Sequence, residues 1–396
     1  MFDRCFVIST VSDDPFAIDV AHFFGQRAEI SDLISLKQFA NSEFCPRFIS
    51  DENSLENIGC SLQGKTVFMV STCSGSWTRN ELAMRNCLVA SAAKDNAAEK
   101  VVLVEPDLFF SAQDRGPQKD QGEVDFERDI WDMKKFDGQP FSARLYARLL
   151  ATSGVDDVCT IHNHSVSVER LFNSTWKGLF ANLSPADLYA NYLLNGDYGA
   201  VVDTDKGLVL CAPDGGAVSF VSEVYKAVKA RTSGMLLNPE VGRLFMEKHR
   251  LGERQVEMQA SSGSPMRLAD VHGRDVVVLD DMVRTGSTVV ECCYRLKEAG
   301  ARKVTFVVTH FYSSDEVKEN LNTPVIDEIV TTNTLPSILN RDRQGRLRKK
   351  MLVLKIEKWI ADFLLRKYCD RGLPASEPKY AVDISSKNPR AAHTHR

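Results

Sequence analysis

The sequence predicts an α/β fold of two successive units, each a mainly parallel sheet flanked by helices, and three observations carry that expectation. Short apolar runs bounded by polar positions recur at 66–72, 101–104, 158–161, 207–212, 276–279 and 304–309, the pattern of strands buried on both faces. Helical patterns follow most of them, so strand, loop and helix repeat along the chain. At 396 residues the chain exceeds one typical domain, and the expected division falls somewhere within 172–188.

Composition narrows the function classes. Hydrophobic residues at 43% and charged residues at 26% describe an ordinary globular protein. A net charge of −4 argues against general nucleic-acid binding, because surfaces that track phosphates carry a basic excess. No apolar run reaches bilayer length, so no membrane association is expected. The opening MFDRCFVIST is read as a short strand rather than a secretory leader, and a cytoplasmic protein is the expectation. Ten scattered cysteines without a C-x-x-C pair are read as free thiols used as small hydrophobes.

Taken in order, 2–10 is expected as a strand and 15–24 as a helix, followed by a stretch that carries Phe39-Ala-Asn-Ser-Glu43. Strand 66–72, a loop at 73–77, helix 79–94 and strand 101–104 lead to Glu105-Pro106. Residues 116–138 turn charged and polar, which suggests a surface excursion with a short helix at 124–134. Helix 141–153 precedes strand 158–161, which runs into His162-Asn163-His164. Ser184-Pro185-Ala186-Asp187 opens a helix by cap and proline. Strand 207–212 closes on Pro213-Asp214-Gly215-Gly216-Ala217 before a helix at 218–230. A short strand at 244–248 gives way to a polar, Gly/Ser-rich stretch, 249–264, expected to be a mobile loop. Beyond 276–288 come strand 304–309, helix 315–320, strand 328–332, a basic run at 341–350 that suits a solvated face, strand 351–354 and helix 357–368. The tail, 371–396, lacks apolar periodicity and is expected to be flexible.

The most informative stretch is 276–288, VVVLDDMVRTGST. A buried strand ends on Asp280 and Asp281, and Thr285, Gly286, Ser287 and Thr288 then offer backbone amides and hydroxyls at the start of a helix. Such a turn cradles an anion. Carboxylates beside it cannot hold phosphate, so they point to sugar hydroxyls, a Mg²⁺ ion, or both. The same residues also fit an ordinary helix cap and turn.

This order resembles the ribose-phosphate loop of the phosphoribosyltransferase superfamily, and the chain as a whole resembles the ribose-phosphate pyrophosphokinases. The resemblance implies two phosphoribosyltransferase-like domains, 1–175 and 176–350, with 351–370 packing back on the first. It implies transfer of the diphosphoryl group of ATP to the anomeric hydroxyl of ribose 5-phosphate, with Mg²⁺ as cofactor. A homo-oligomer whose nucleotide site is shared between subunits also follows from it. Asp280, Asp281 and the Thr285-Gly286-Ser287-Thr288 turn would then bind the ribose phosphate.

Further segments match the same family. Phe39-Ala-Asn41-Ser42-Glu43 is similar to F-x-D-G-E, so Phe39 and Glu43 are implied at the adenine, although Phe39 alone also suits a core position. Gln113-Asp114-Arg115 matches the end of a nucleotide-binding stretch whose first Arg is Ala112 here. His164 and Asp214 stand at implied metal positions, and His162 beside His164 leaves a softer metal or two plain loop histidines open. Lys248 and Arg250 match the K-x-R at the root of a catalytic loop, the cations that transfer of a diphosphoryl group needs, or else form a solvated basic turn. Arg284 replaces an acid of the usual motif, which keeps a 5-substituted acceptor such as ADP-ribose in view. Losses at Asn41 and Ala112 keep a non-catalytic regulatory relative in view, and a transferase consuming phosphoribosyl diphosphate is a weaker fit.

Overall fold

The computed structural model describes residues 3–49, 55–75, 77–122, 124, 126–163, 165–175, 177–195, 207–233, 240–250, 256–374 and 378–383, the side chains of 195, 249, 250, 256 and 257 excepted. They fall into two compact units, Met1–Leu183 with Glu357–Ala375, and Ser184–Ile356 with Ser376–Arg396.

In the first unit β1 (Cys5–Ser9) is followed by a hairpin of β2 (Ile34–Gln38) and β3 (Phe44–Phe48), then by β4 (Thr66–Val70), β5 (Lys100–Val104), β6 (Asp157–Ile161) and β7 (Phe180–Leu183). One parallel sheet runs in the order β1-β4-β5-β6-β7. Every residue of β4 and β5 after the first is buried, as Val- and Leu-rich strands covered on both faces require. Asp14 caps the helix Pro15–Phe24 by accepting from the Phe16 amide, and Thr78 with Glu81 forms a capping box for Arg79–Asp95. The hairpin is tied down by Arg85, whose buried guanidinium lies 3.6 Å from the Phe44 ring centroid and donates from Nε to the Thr10 carbonyl at 2.8 Å. The late helix Glu357–Tyr368 belongs to this unit: the Tyr368 ring meets Phe68 at 5.3 Å between centroids, and its hydroxyl donates to Asp157 at 3.0 Å.

The second unit contains β8 (Leu208–Ala212), β9 (Val241–Arg250), β10 (Val256–Ala260), β11 (Asp275–Val283), β12 (Lys303–Phe311), β13 (Glu328–Thr332), β14 (Met351–Lys355) and β15 (Ala381–Val382). Their order is β10-β9-β8-β11-β12-β13-β14-β15, parallel from β9 to β14, with antiparallel β10 and β15 at the edges. Charged side chains close the amino ends of the strands, where Arg302 pairs with Asp275 and Lys303 with Glu328 at 3.0 Å. The carboxyl ends are left for chemistry. Cys292 and Cys293 are fully buried in the core, and all ten cysteines are free thiols.

Several expectations need correction. Strand 351–355 joins the second unit's sheet beside β13, and only the following helix belongs to the first unit. Within the 249–264 stretch, residues 249–250 of β9 and 256–260 of β10 are paired strands rather than loop; residues 251–255 lie outside the described set. Part of the tail is ordered, since β15 pairs with β14 and the Tyr380 hydroxyl donates to Asn191 at 2.9 Å. The basic run is a solvated face as expected, with its arginines exposed on a four-residue helix, Arg341–Gln344, and a 3-10 turn, Gly345–Lys349.

Candidate active site

In the second unit the sheet register brings the site together. Cys211 of β8 lies opposite Val278 of β11, and Ala212 opposite Phe245 of β9. Two residues past β8 stands Asp214, two residues past Val278 stands Asp280, and three past Phe245 stands Lys248, so all three rise from carboxyl ends of neighbouring strands. Ligands of open α/β sheets bind at that end.

Asp280 is half-buried, and burial with the negative charges of Asp281 and Asp214 pushes its carboxyl well above the usual range. Three carboxylates crowded in this way call for hydroxyl donors or a divalent cation. Asp214 also caps the 3-10 turn Gly215–Ala217, accepting from the Gly216 amide at 3.0 Å. After β11 the chain turns at Gly286, whose φ of 81° is open to few other residues, and enters the helix Ser287–Glu298. Asn320 pins the turn by donating to the Thr285 carbonyl at 2.8 Å. The hydroxyls of Thr285 and Ser287 approach to 3.4 Å, and Lys248 donates from Nζ to Thr288 Oγ1 at 2.7 Å. Lys248 therefore touches the 285–288 turn that follows the acid pair in sequence. Arg284 is exposed beside it. The side chain of Arg250 and all of His164 lie outside the described residues.

In the first unit the second group of candidates sits beyond β5. Glu105 is buried at that strand's end, where it accepts from the Phe109 amide at 2.8 Å, the Tyr146 hydroxyl at 2.8 Å and Asn86 Nδ2 at 2.9 Å, fixing the loop's entry. Asp114 accepts from the Ser165 hydroxyl at 2.6 Å, which fastens the loop to the segment after β6. Arg115 donates to Asp132 at 3.2 Å, and Gln113 is exposed. Phe39 is 44% exposed at the hairpin tip, so it is no core residue, and its amide donates to the Glu43 carbonyl at 2.8 Å. His162 lies past the end of β6 with φ of 46°, in the loop rather than on the strand. Among the described residues no group of three His, Cys, Asp or Glu side chains forms a ready metal site.

Burial pushes Glu105 up to about 8, so the folded chain retains a proton that the unfolded chain gives up near 4.5. The associated stability is complete below about pH 4.5 and disappears as pH rises through about 8. Urea unfolding should therefore show stability declining across that window by at most about 1.4 kcal/mol per pH unit. Glu105→Gln should flatten the decline, because an amide imitates the neutral acid and a turned Asn86 amide would present its unpartnered Oδ1 to the new donor. An unchanged slope in the variant would contradict this assignment.

The chain is similar to several known proteins. Residues 245–370 match the family model described as phosphoribosyl synthetase-associated domain. Ribose-phosphate pyrophosphokinase of Corynebacterium efficiens is 29% identical over 304 residues, 76% of this chain and 77% of that protein. Ribose-phosphate pyrophosphokinase 4 of Saccharomyces cerevisiae is 29% identical over 288 residues, 72% and 74% of the two chains. The chain is thus similar over about three quarters of its length to ribose-phosphate pyrophosphokinases. The crystal structure of phosphoribosylpyrophosphate synthetase from Mycobacterium smegmatis matches with a TM-score of 0.69 at 20% identity, over 93% of this chain and 100% of that one. The two-unit α/β architecture is thus a fold shared with that synthetase. Among the described residues no helix is long and apolar enough to cross a membrane.

Sequence reasoning missed Asp132 and Arg128, which hold Arg115 and the 116–138 segment. Their i,i+4 spacing was the available signal, and it was masked by the number of charges around it.

Proposed function

We propose that this enzyme transfers the diphosphoryl group of ATP to the anomeric hydroxyl of ribose 5-phosphate, releasing AMP and phosphoribosyl diphosphate. The observation that carries the reading is the 2.7 Å hydrogen bond from Lys248 to Thr288, which sets a cation on the phosphate turn next to the acid pair. In this reading the turn from Thr285 to Thr288 takes the 5-phosphate through helix amides and hydroxyls. Asp280 and Asp281 accept from ribose hydroxyls and orient the anomeric oxygen towards the β-phosphorus of ATP. Lys248, with Arg250, neutralises charge on the group in transfer, which is most of what phosphoryl-type chemistry asks of a protein. Gln113, Asp114 and Arg115 contact nucleotide, Asp114 chiefly by bracing its neighbours. Phe39 and Glu43 reach the adenine of a neighbouring subunit in a homo-oligomer.

Mg²⁺ fits the hard oxygen donors and the like-charge crowding at Asp214 and Asp280; Asp214 would hold it, the substrate phosphates completing the shell, and it would supply charge neutralisation. A second reading keeps the chemistry and changes the acceptor. Arg284, exposed beside the turn where the family motif has an acid, favours a larger anionic substituent on C5, such as that of ADP-ribose. Purified protein incubated with ATP and Mg²⁺ should form AMP with ribose 5-phosphate; faster AMP formation with ADP-ribose would move the assignment to that acceptor. Absence of AMP with either would leave a regulatory relative as the reading.

A further inference from the structure

The 116–138 segment is charged, polar and without a counterpart in the motifs that define the site, yet it is closed around one buried guanidinium. Arg128 donates from Nη1 to the carbonyls of Gln118 at 2.8 Å and Gln121 at 2.7 Å, from Nη2 to that of Gly116 at 2.7 Å, and from Nε to Asp132 Oδ2 at 2.8 Å. Asp129 caps the short helix Ile130–Lys134 by accepting from the Asp132 amide at 2.7 Å. These bonds fix Asp132, which is 4% exposed, with one carboxylate oxygen turned inward to Arg128. The other oxygen faces outward and accepts from Arg115 Nη1 at 3.2 Å.

We propose that this segment is a positioning element for the nucleotide site and that Asp132 is the positioning residue which aims Arg115. Arg115 is held on three sides: by Asp132, by the Phe136 ring 4.8 Å from its Cζ, and by Asp114 at 3.7 Å from Nε, with Asp114 itself braced by Ser165. Its Nε is buried with no hydrogen-bond partner, while 29% of the side chain stays exposed. A fork held in this way, with part of its side chain still open to solvent, is prepared for an anion. The segment therefore organises the Arg115 cation. The inference rests on the reading of Arg115 as a nucleotide-phosphate contact.

The test uses the full chain and ATP affinity measured by equilibrium dialysis without acceptor, together with KM and kcat. Asp132→Asn should weaken ATP binding and raise its KM by about tenfold, the worth of one charged hydrogen bond, with kcat changed less than about twofold. In an Arg115→Ala background the same substitution should add nothing, a result that a merely structural role would not give. Phe136→Leu, which removes the stacking ring and leaves the ion pair, should weaken ATP severalfold and keeps the proposal falsifiable should Asp132→Asn fail to fold. Unchanged affinity in a folded Asp132→Asn protein, additive losses in the double variant, or no loss in Phe136→Leu where Asp132→Asn does not fold would overturn it. If Arg115→Ala itself leaves ATP affinity untouched, the parent reading of Arg115 fails instead.

Discussion

Lys248→Ala is expected to lower kcat by about a thousandfold or more, in line with removing one preorganised charge from a site where charge develops. Stability should change by less than about 0.5 kcal/mol, because Lys248 is exposed and leaves no cavity. The argument is geometric. Lys248 sits on β9 with its ammonium on the hydroxyl of Thr288, a residue forty positions away in sequence that opens the helix after the phosphate turn. An isolated basic turn in solvent would not find that partner. Steady-state AMP formation with saturating ATP and ribose 5-phosphate, beside a urea unfolding curve, separates the two effects. Near-normal turnover would remove Lys248 from the chemistry.

Gly286→Val should be costly in a different way. The backbone at Gly286 has φ of 81°, and an added Cβ would stand 3.1 Å from Leu321 Cδ2, while Asn320 in the same helix holds the Thr285 carbonyl. A β-branched residue fits neither the dihedral nor the space. The turn must then shift away from its helix, at a cost of about 2–3 kcal/mol in stability. Misplacing the anion cradle by an ångström should raise the KM for ribose 5-phosphate by about a hundredfold, with ATP affinity nearly unchanged. Equal weakening of both substrates would show general damage rather than a defect of the ribose-phosphate turn.

How much of this was legible in the sequence depends on how local the determining signal is. The buried runs of β4, β5, β8, β11 and β12 announced themselves, because a strand covered on both faces must be apolar throughout. The turn at Gly286 was equally plain, since its glycine and hydroxyls are consecutive. The β2–β3 hairpin was obscured because one side of it is exposed, and its place depends on Arg85, which is distant in sequence. β7 was hidden by its mixed composition, FANL, and by lying at the sheet edge. The β9–β10 hairpin read as loop because its outer residues are polar, and β15 because two residues carry no periodicity. Asp132 escaped for the most general reason: one carboxylate among many has meaning only when its partners are known. The fold and the turn at Gly286 were thus readable from short patterns, whereas the support around Arg115 was not.

The central claim is that two phosphoryl groups move together from ATP to the anomeric oxygen of ribose 5-phosphate. Its most direct test is phosphorus NMR of the purified protein with ATP, Mg²⁺ and ribose 5-phosphate, followed as the substrates are consumed. The account predicts AMP and a diphosphate signal attached to C1 of the sugar, growing in equal amounts. Growth of ADP with a sugar monophosphate, or no consumption of ATP at all, would contradict it.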